Sequence, residues 1–236
     1  MSFSIITVNY NNAIGLEKTI DNVDLIRSKA DFPVEVIVVD GGSTDESVNV
    51  ITKYSKVIDE WVSEKDDGIF DAMNKGIGLA SNDWLVFMNS GDTFYNENIL
   101  SIFMAEKIPN SVNLVYGDKI EAGKVSFAQD LGKLKVGIIH TCHQSMFFRK
   151  SLDIKYSFGS KLYGDYGYVV DHILHNKDGG LYLQEIISET EPDGVGAKVS
   201  CRKRYEKYQQ VISRYGIVSV ILSIIYRIKL FFQRVK

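Results

Sequence analysis

Residues 84–94 read WLVFMNSGDTF: large apolar side chains run from Trp84 to Met88 and stop abruptly at Asn89-Ser90-Gly91-Asp92. An apolar run without polar alternation describes a strand buried on both faces, as in parallel sheets covered by helices. Small and polar side chains at the carboxyl end of such a strand sit where open α/β sheets hold their ligands. A carboxylate there suits a divalent cation, and the cation suits a diphosphate.

Upstream, strand and helix patterns alternate. Ser4 to Val8 reads as a first strand, and Leu16, Ile20, Val23 and Arg27 then recur at helical spacing. Val34 to Val39 is a second apolar strand ending at Asp40; Gly41-Gly42 makes a turn, and Ser43-x-x-Glu46 predicts a capping box on the next helix. Val57 to Val62 reads as a third strand, and Ile69, Met73, Ile77 and Ala80 mark one face of a helix whose other side carries Asp71, Asn74 and Lys75. Right-handed crossovers put Asn9-Tyr10-Asn11, Asp40 and Asn89 to Asp92 on one edge of the sheet, which predicts a nucleotide-sized site. Downstream, Leu114–Lys119 and Lys124–Phe127 suit a hairpin across Glu121-Ala122-Gly123. Ser145–Phe148 suits a strand and Asp165–His175 a helix. No linker separates the halves.

The 236 residues carry a net charge of -3, which argues against nucleic acid as a partner. Two cysteines without a CxxC suit a reducing cytosol, and the N-terminus reads as a strand rather than a secretory signal. His140, Cys142 and His143 lack zinc-ligand spacing. After Ala197 the chain turns basic and apolar together, ending IVSVILSIIYRIKLFFQRVK. Its unbroken apolar part is about half of the ~20 residues a spanning helix needs. Residues 216–236 therefore suit a helix in the membrane interface, or one packed on the domain or on a second copy in a homodimer.

The segments SIITVNYNN, VIVVDGGSTDES, GIFDAMNKGIGLASNDWLVFMNSGD, YGD, HQSMFFRK and YGDYGYVVDH, in that order, resemble the family 2 glycosyltransferases of the GT-A fold. The variants DGGSTD, GIFDAMNKGI and FMNSGD are similar to members from bacterial exopolysaccharide, colanic-acid and O-antigen clusters. The resemblance implies an α/β fold with a Rossmann-like, mostly parallel central sheet flanked by helices. It also implies a glycosyltransferase domain over 1–196, with a nucleotide-sugar half (1–95), an acceptor half (96–196) and a helical tail (197–236).

The resemblance further implies that Thr7, Val8, Asn9 and Tyr10 line the base and ribose pocket, partly through backbone. Asp40 and Gly42 would hold the uracil or ribose, and Asp71, Asn74 and Lys75 the sugar or phosphate. Asn89, Ser90 and Gly91 would face the donor; Asp92, with Asn89, would hold Mg²⁺ or Mn²⁺. Asp165 would deprotonate the acceptor hydroxyl, with Asp171 as a rival carboxylate and a helix N-cap as its structural alternative. His143 and Gln144 would touch phosphate or acceptor. The chain departs from the family pattern where Gly41 replaces a second acidic residue, Met73 an arginine, and Asn89 and Gly91 carboxylates.

The implied function is transfer, with inversion, of a hexose or N-acetylhexosamine from a UDP-sugar to a lipid-linked glycan in cell-surface polysaccharide synthesis. The enzyme would be cytoplasmic and peripheral on the inner face of a bacterial plasma membrane. The alternative is a degenerate nucleotide-sugar-binding scaffold subunit. Nucleotidyltransfer and NAD chemistry expect a Gly-rich loop where this chain has NYNNAIG.

Overall fold

The computed structural model describes residues 1–139, 141–157, 163–175, 179–191 and 201–234. In chain order the first elements are β1 (Phe3–Asn9), α1 (Ala13–Ser28), β2 (Val34–Asp40), α2 (Ser47–Lys53), β3 (Glu60–Ser63), α3 (Ile69–Leu79) and β4 (Trp84–Phe87). There follow β5 (Thr93–Phe94), α4 (Ile99–Ala105), β6 (Leu114–Glu121), β7 (Lys124–Ser126), β8 (Met146–Arg149), α5 (Gly164–His175), β9 (Gly180–Thr190), α6 (Cys201–Tyr215) and α7 (Ile217–Arg234). His140 and the expected boundary at 196/197 lie outside the described residues.

Among the described residues one sheet runs β3-β2-β1-β4-β8-β6-β9-β5, with β7 paired on β6. The first four strands in that order are parallel. Their side chains divide between two cores, so neither face shows polar alternation. Phe3, Ile5, Val36, Val38, Trp84 and Val86 pack on Leu16, Ile20 and Val23 of α1. Ile6, Val8, Ile37, Val39, Leu85 and Phe87 pack with Ala72, Met73 and Ile77 of α3. Met73, which replaces the family's arginine, is thus fully buried in the second core. Gly76 lets α3 close on β1, since a Cβ there would collide with Ile6 Cγ2. The second half turns mixed: β8 is antiparallel to β4 and β6, while β9 runs parallel to β6 with a register shift at Gly117.

Two local expectations are corrected. The third strand begins at Glu60, because Val57 and Ile58 instead donate their amides to Tyr54 O and close the end of α2. The capping box does not form: α2 begins after Glu46 with no side-chain cap, since the Ser43 hydroxyl is engaged by Asp40 at 2.5 Å. Asp45 takes over, accepting from Ser47 N (3.1 Å) and Ser47 Oγ (2.5 Å).

The tail is helical. Gly216 (φ 77) turns the chain between α6 and α7. Both helices pack on the 3₁₀ turn Leu131–Val136, and α6 also packs on α5. Ser219 and Ser223 of α7 are buried, while Ile217, Val218, Ile221, Leu222, Ile224, Ile225 and Ile228 are exposed. Among the described residues no helix is long and apolar enough to cross a membrane.

Candidate active site at the carboxyl ends of the strands

The parallel strands deliver Asn9, Asp40 and the 89–92 turn to one edge, as the crossovers require. Asp40 differs from its expected role. It is fully buried, and its oxygens accept from Asn9 Nδ2 (2.7 Å), Ser43 Oγ (2.5 Å), Ser43 N (2.9 Å) and Ser63 Oγ (2.7 Å). With about four lone-pair sites on a carboxylate, none remains for a nucleotide. Burial pushes this carboxyl up, but the hydrogen bonds from Ser43, Ser63 and Asn9 outweigh it and hold it below its ordinary value. Asp40 therefore ties β1, β2 and β3 together beneath the site.

Thr7 and Val8 are also buried, and Val8 O already accepts from Ser90 N (3.1 Å). Tyr10 is 66% exposed, so its ring stands in the open at this strand end. Gly42 (φ 78) packs against the Glu64–Lys65 backbone.

Asn74 likewise differs from expectation. Its amide makes two reciprocal bonds to Tyr156, donating to O and accepting from N at 2.9 Å each, and so clamps the 156 segment onto α3. Asn74→Ala leaves both backbone groups unpaired, and a thermal or urea melt should show a loss of about 2–4 kcal/mol. Lys75 pairs with Glu64 (2.8 Å) and Asp71 (3.5 Å) at the rim of the site.

The 89–92 turn is held from below. Gly91 N donates to Thr19 Oγ1 and Gly15 O (3.0 Å each), and Gly91 O accepts from Lys18 Nζ (2.6 Å). Asp92 is buried; its Oδ2 accepts from Gln144 Nε2 (2.6 Å) and its Oδ1 from Glu191 N (3.0 Å). Burial pushes the Asp92 carboxyl up, against the pull of these two bonds. Asn89 Nδ2 meets His143 Nε2 at 3.0 Å, and His143 Nδ1 lies 3.2 Å from Asp165 Oδ1. His143 and Gln144 are both buried, and they join the 89–92 turn to the start of α5 and to each other's neighbours in the site. Burial would lower the imidazole, but the Asp165 and Asp92 carboxylates outweigh it and hold His143 above its ordinary value.

Asp165 stands in the first turn of α5 with its side chain 35% exposed. The rival Asp171 is held by Arg214 of α6, through Nε to Oδ1 (2.6 Å) and Nη2 to Oδ2 (2.5 Å). Asp165 is thus the carboxylate of this helix that faces the strand-end site.

Two carboxylates escaped the sequence reading. A Cβ on Gly41 would lie 2.5 Å from Asp66 Oδ2, and one on Gly91 would lie 2.5 Å from Glu191 Cδ. At both positions where the chain has glycine instead of an acidic residue, a carboxylate from a distant segment occupies the side-chain space. The signal was the pair of glycines themselves, but nothing in their spacing named the partners.

The donor set admits a cation that takes most of its ligands from diphosphate and water. Asn89 Oδ1 and Ser90 Oγ are buried without a hydrogen-bond partner among the described residues, and each Asp92 oxygen retains a second lone pair. No cluster of three or more His, Cys, Asp or Glu among the described residues forms a protein cage.

The chain is 34% identical over 159 residues to a PGL/p-HBAD biosynthesis glycosyltransferase of Mycobacterium bovis, covering 64% of this chain and 60% of that protein. It spans only that 60% of the relative's length. Among solved structures, S. aureus TarS 1–349 in complex with UDP-GlcNAc superposes with a TM-score of 0.69 at 19% identity, over 91% of this chain and 66% of that one. Glucosyl-3-phosphoglycerate synthase of Mycobacterium tuberculosis, solved with Mn²⁺, UDP and glucosyl-3-phosphoglycerate, gives 0.56 at 15% identity, over 92% and 80%. The α/β architecture of the GT-A fold is thus the one observed. The family profile for glycosyl transferase family 2 matches residues 4–133, which hold β1 to β4 and their strand-end residues, and the chain belongs to that family.

Proposed function

We propose that the chain is an inverting glycosyltransferase that moves a hexose or N-acetylhexosamine from a UDP-sugar to a lipid-linked glycan, in cell-surface polysaccharide synthesis. The observation that carries this reading is the line Asn89–His143–Asp165, which sets a partly exposed carboxylate across from the strand-end turn. Tyr10 and Asp66, side by side over Gly41, would receive the base by stacking and by accepting its N–H. The donor diphosphate would lie over residues 89–92. A divalent cation held there by Asp92 and Asn89, Mg²⁺ or Mn²⁺, would supply charge for the leaving diphosphate.

Asp165 would take the proton of the acceptor hydroxyl as its oxygen bonds to the anomeric carbon. The bond from that carbon to the diphosphate oxygen breaks, and its electron pair leaves with the diphosphate. One displacement inverts the centre, and the proton ends on Asp165. The UDP-bound neighbours support the donor class, and the mycobacterial relative, named as a biosynthesis glycosyltransferase, supports sugar transfer.

Purified protein should bind UDP in the presence of Mn²⁺ and slowly hydrolyse at least one UDP-sugar; neither binding nor hydrolysis across a panel would sink the reading. Chelation by EDTA should weaken UDP binding ~10-fold or more by titration calorimetry. Equal affinity with and without the metal would remove the cation from the proposal.

The exposed apolar side of α7, with Arg227 and Lys229 beside it, suits the cytoplasmic membrane surface. Ile221→Glu with Ile228→Glu should abolish co-sedimentation with vesicles containing anionic lipid, and undiminished sedimentation would refute the anchor. A second reading, a scaffold that binds nucleotide sugar without turnover, is favoured by the internal bonds of Asp92.

A further inference from the structure

The acceptor side of the domain holds a buried cation that the transfer chemistry does not use. Lys207 of α6 is 5% exposed, and its stem packs against Gly137 so closely that a Cβ there would lie 3.2 Å from Nζ. Gly137 also has φ 71, which suits glycine. No hydrogen bond or ion pair joins the Lys207 ammonium to any described residue. Burial lowers this amine to about 8, and the charge that acts on it is a second cation, Arg227 of α7, which lowers it further. At neutral pH the ammonium is still mostly charged. An ammonium removed from water costs several kcal/mol unless an anion accompanies it. A second cation alongside raises that cost.

The turn that Lys207 packs on also fastens the helix that carries Asp165. Gly137 O accepts from Tyr163 Oη at 2.6 Å, and Tyr166 Oη donates to Leu134 O at 2.7 Å, so the start of α5 is fastened to the same turn. Tyr163 lies two residues before Asp165 and also feels the Arg227 charge. The other flank is α7, whose apolar side chains stand exposed.

We propose that Lys207 and Arg227 form an anion subsite that holds the phosphate group of the lipid carrying the acceptor sugar. The assignment rests on the lipid-linked acceptor proposed above. Lys207 would act as a point charge and Arg227 as a two-pronged donor to phosphate oxygens, with the hydrocarbon chain running along α7. Fixing the phosphate there would bring the terminal hydroxyl of a short carrier-linked sugar towards Asp165.

The test is binding of farnesyl phosphate to the full chain, with farnesol and inorganic phosphate as separate arms and UDP affinity measured on each variant. Farnesyl phosphate should bind, and Lys207→Met and Arg227→Gln should each weaken it ~10-fold or more while UDP affinity is retained. Lys207→Met should also leave the thermal midpoint equal or higher, because it removes a buried charge that has no anion beside it among the described residues. Unchanged farnesyl phosphate affinity in both variants overturns the subsite. Equal affinity for farnesol overturns the role of the charge, and equal affinity for inorganic phosphate overturns the lipid assignment. If Lys207→Met does not fold, Arg227→Gln, on an exposed residue, carries the test alone. Failure of wild-type protein to bind UDP would count against the transferase reading and leave the phosphate arms readable.

Discussion

Asp165→Asn is expected to lower turnover about 10³-fold, or about 4 kcal/mol of barrier, while UDP affinity stays within about twofold. The amide keeps the size and the approach to His143 Nδ1, seen at 3.2 Å, but cannot accept the hydroxyl proton. Because the acceptor hydroxyl becomes acidic only as its bond to carbon forms, a correctly placed carboxylate suffices without a raised basicity. Asp171→Asn is the contrast. It breaks a two-point contact to Arg214 away from the site, so turnover should persist while the docking of α6 weakens. Steady-state kinetics on the two variants, with UDP titration calorimetry, separates the carboxylates. Full turnover in Asp165→Asn would remove the base from the mechanism. A wild-type chain without turnover that still restores polysaccharide synthesis as Asp165→Asn would establish the scaffold reading.

Asp40→Ala should cost about 4 kcal/mol or more of folding stability, the largest stability effect expected from one site residue. The substitution leaves the Asn9 amide, the Ser43 amide and two serine hydroxyls without their acceptor in a fully buried position. Hydrogen bonds to a charged group contribute about 1.5–3 kcal/mol each, and an unsatisfied buried donor costs about 1–3 kcal/mol. The bonds share one carboxylate, so their losses do not add fully.

The pH dependence has a definite sign. Hydrogen bonding outweighs burial and sets the folded carboxyl below its unfolded value. Its stabilisation is therefore present above the ordinary aspartate range, near pH 4, and is lost as pH falls through the folded value. Urea melts at pH 7 and at decreasing acid pH should show Asp40→Asn converging on wild type as the acid limit is approached. A constant gap between them would contradict the linkage.

Much of the nucleotide half was legible because parallel strands covered on both sides leave a plain signature. β1, β2 and β4 lie within a residue of their expected ends, and the helices between them follow the apolar spacing of Leu16, Ile20 and Val23, or of Met73 and Ile77. β3 was less legible because an edge strand with exposed Glu60 and Trp61 lacks the unbroken burial of its neighbours. The hairpin at 114–126 was legible from its Ala-Gly turn, whereas the parallel pairing of β6 with β9 joins segments too far apart for local pattern to report.

By itself the sequence determined the fold class and which strand ends share one edge of the sheet, since these follow from local periodicity and the handedness of crossovers. The tertiary structure decided what each polar group does there. Asp40 and Asn74 are engaged inward, and His143 connects Asn89 to Asp165. Asp66 and Glu191 bring carboxylates to Gly41 and Gly91 from distant segments, and Arg214 holds Asp171 while Asp165 keeps its place at the site. The physical reason is that a polar side chain is defined by the partner that meets its lone pairs or protons. Those partners come from long-range packing, which spacing along one chain does not encode.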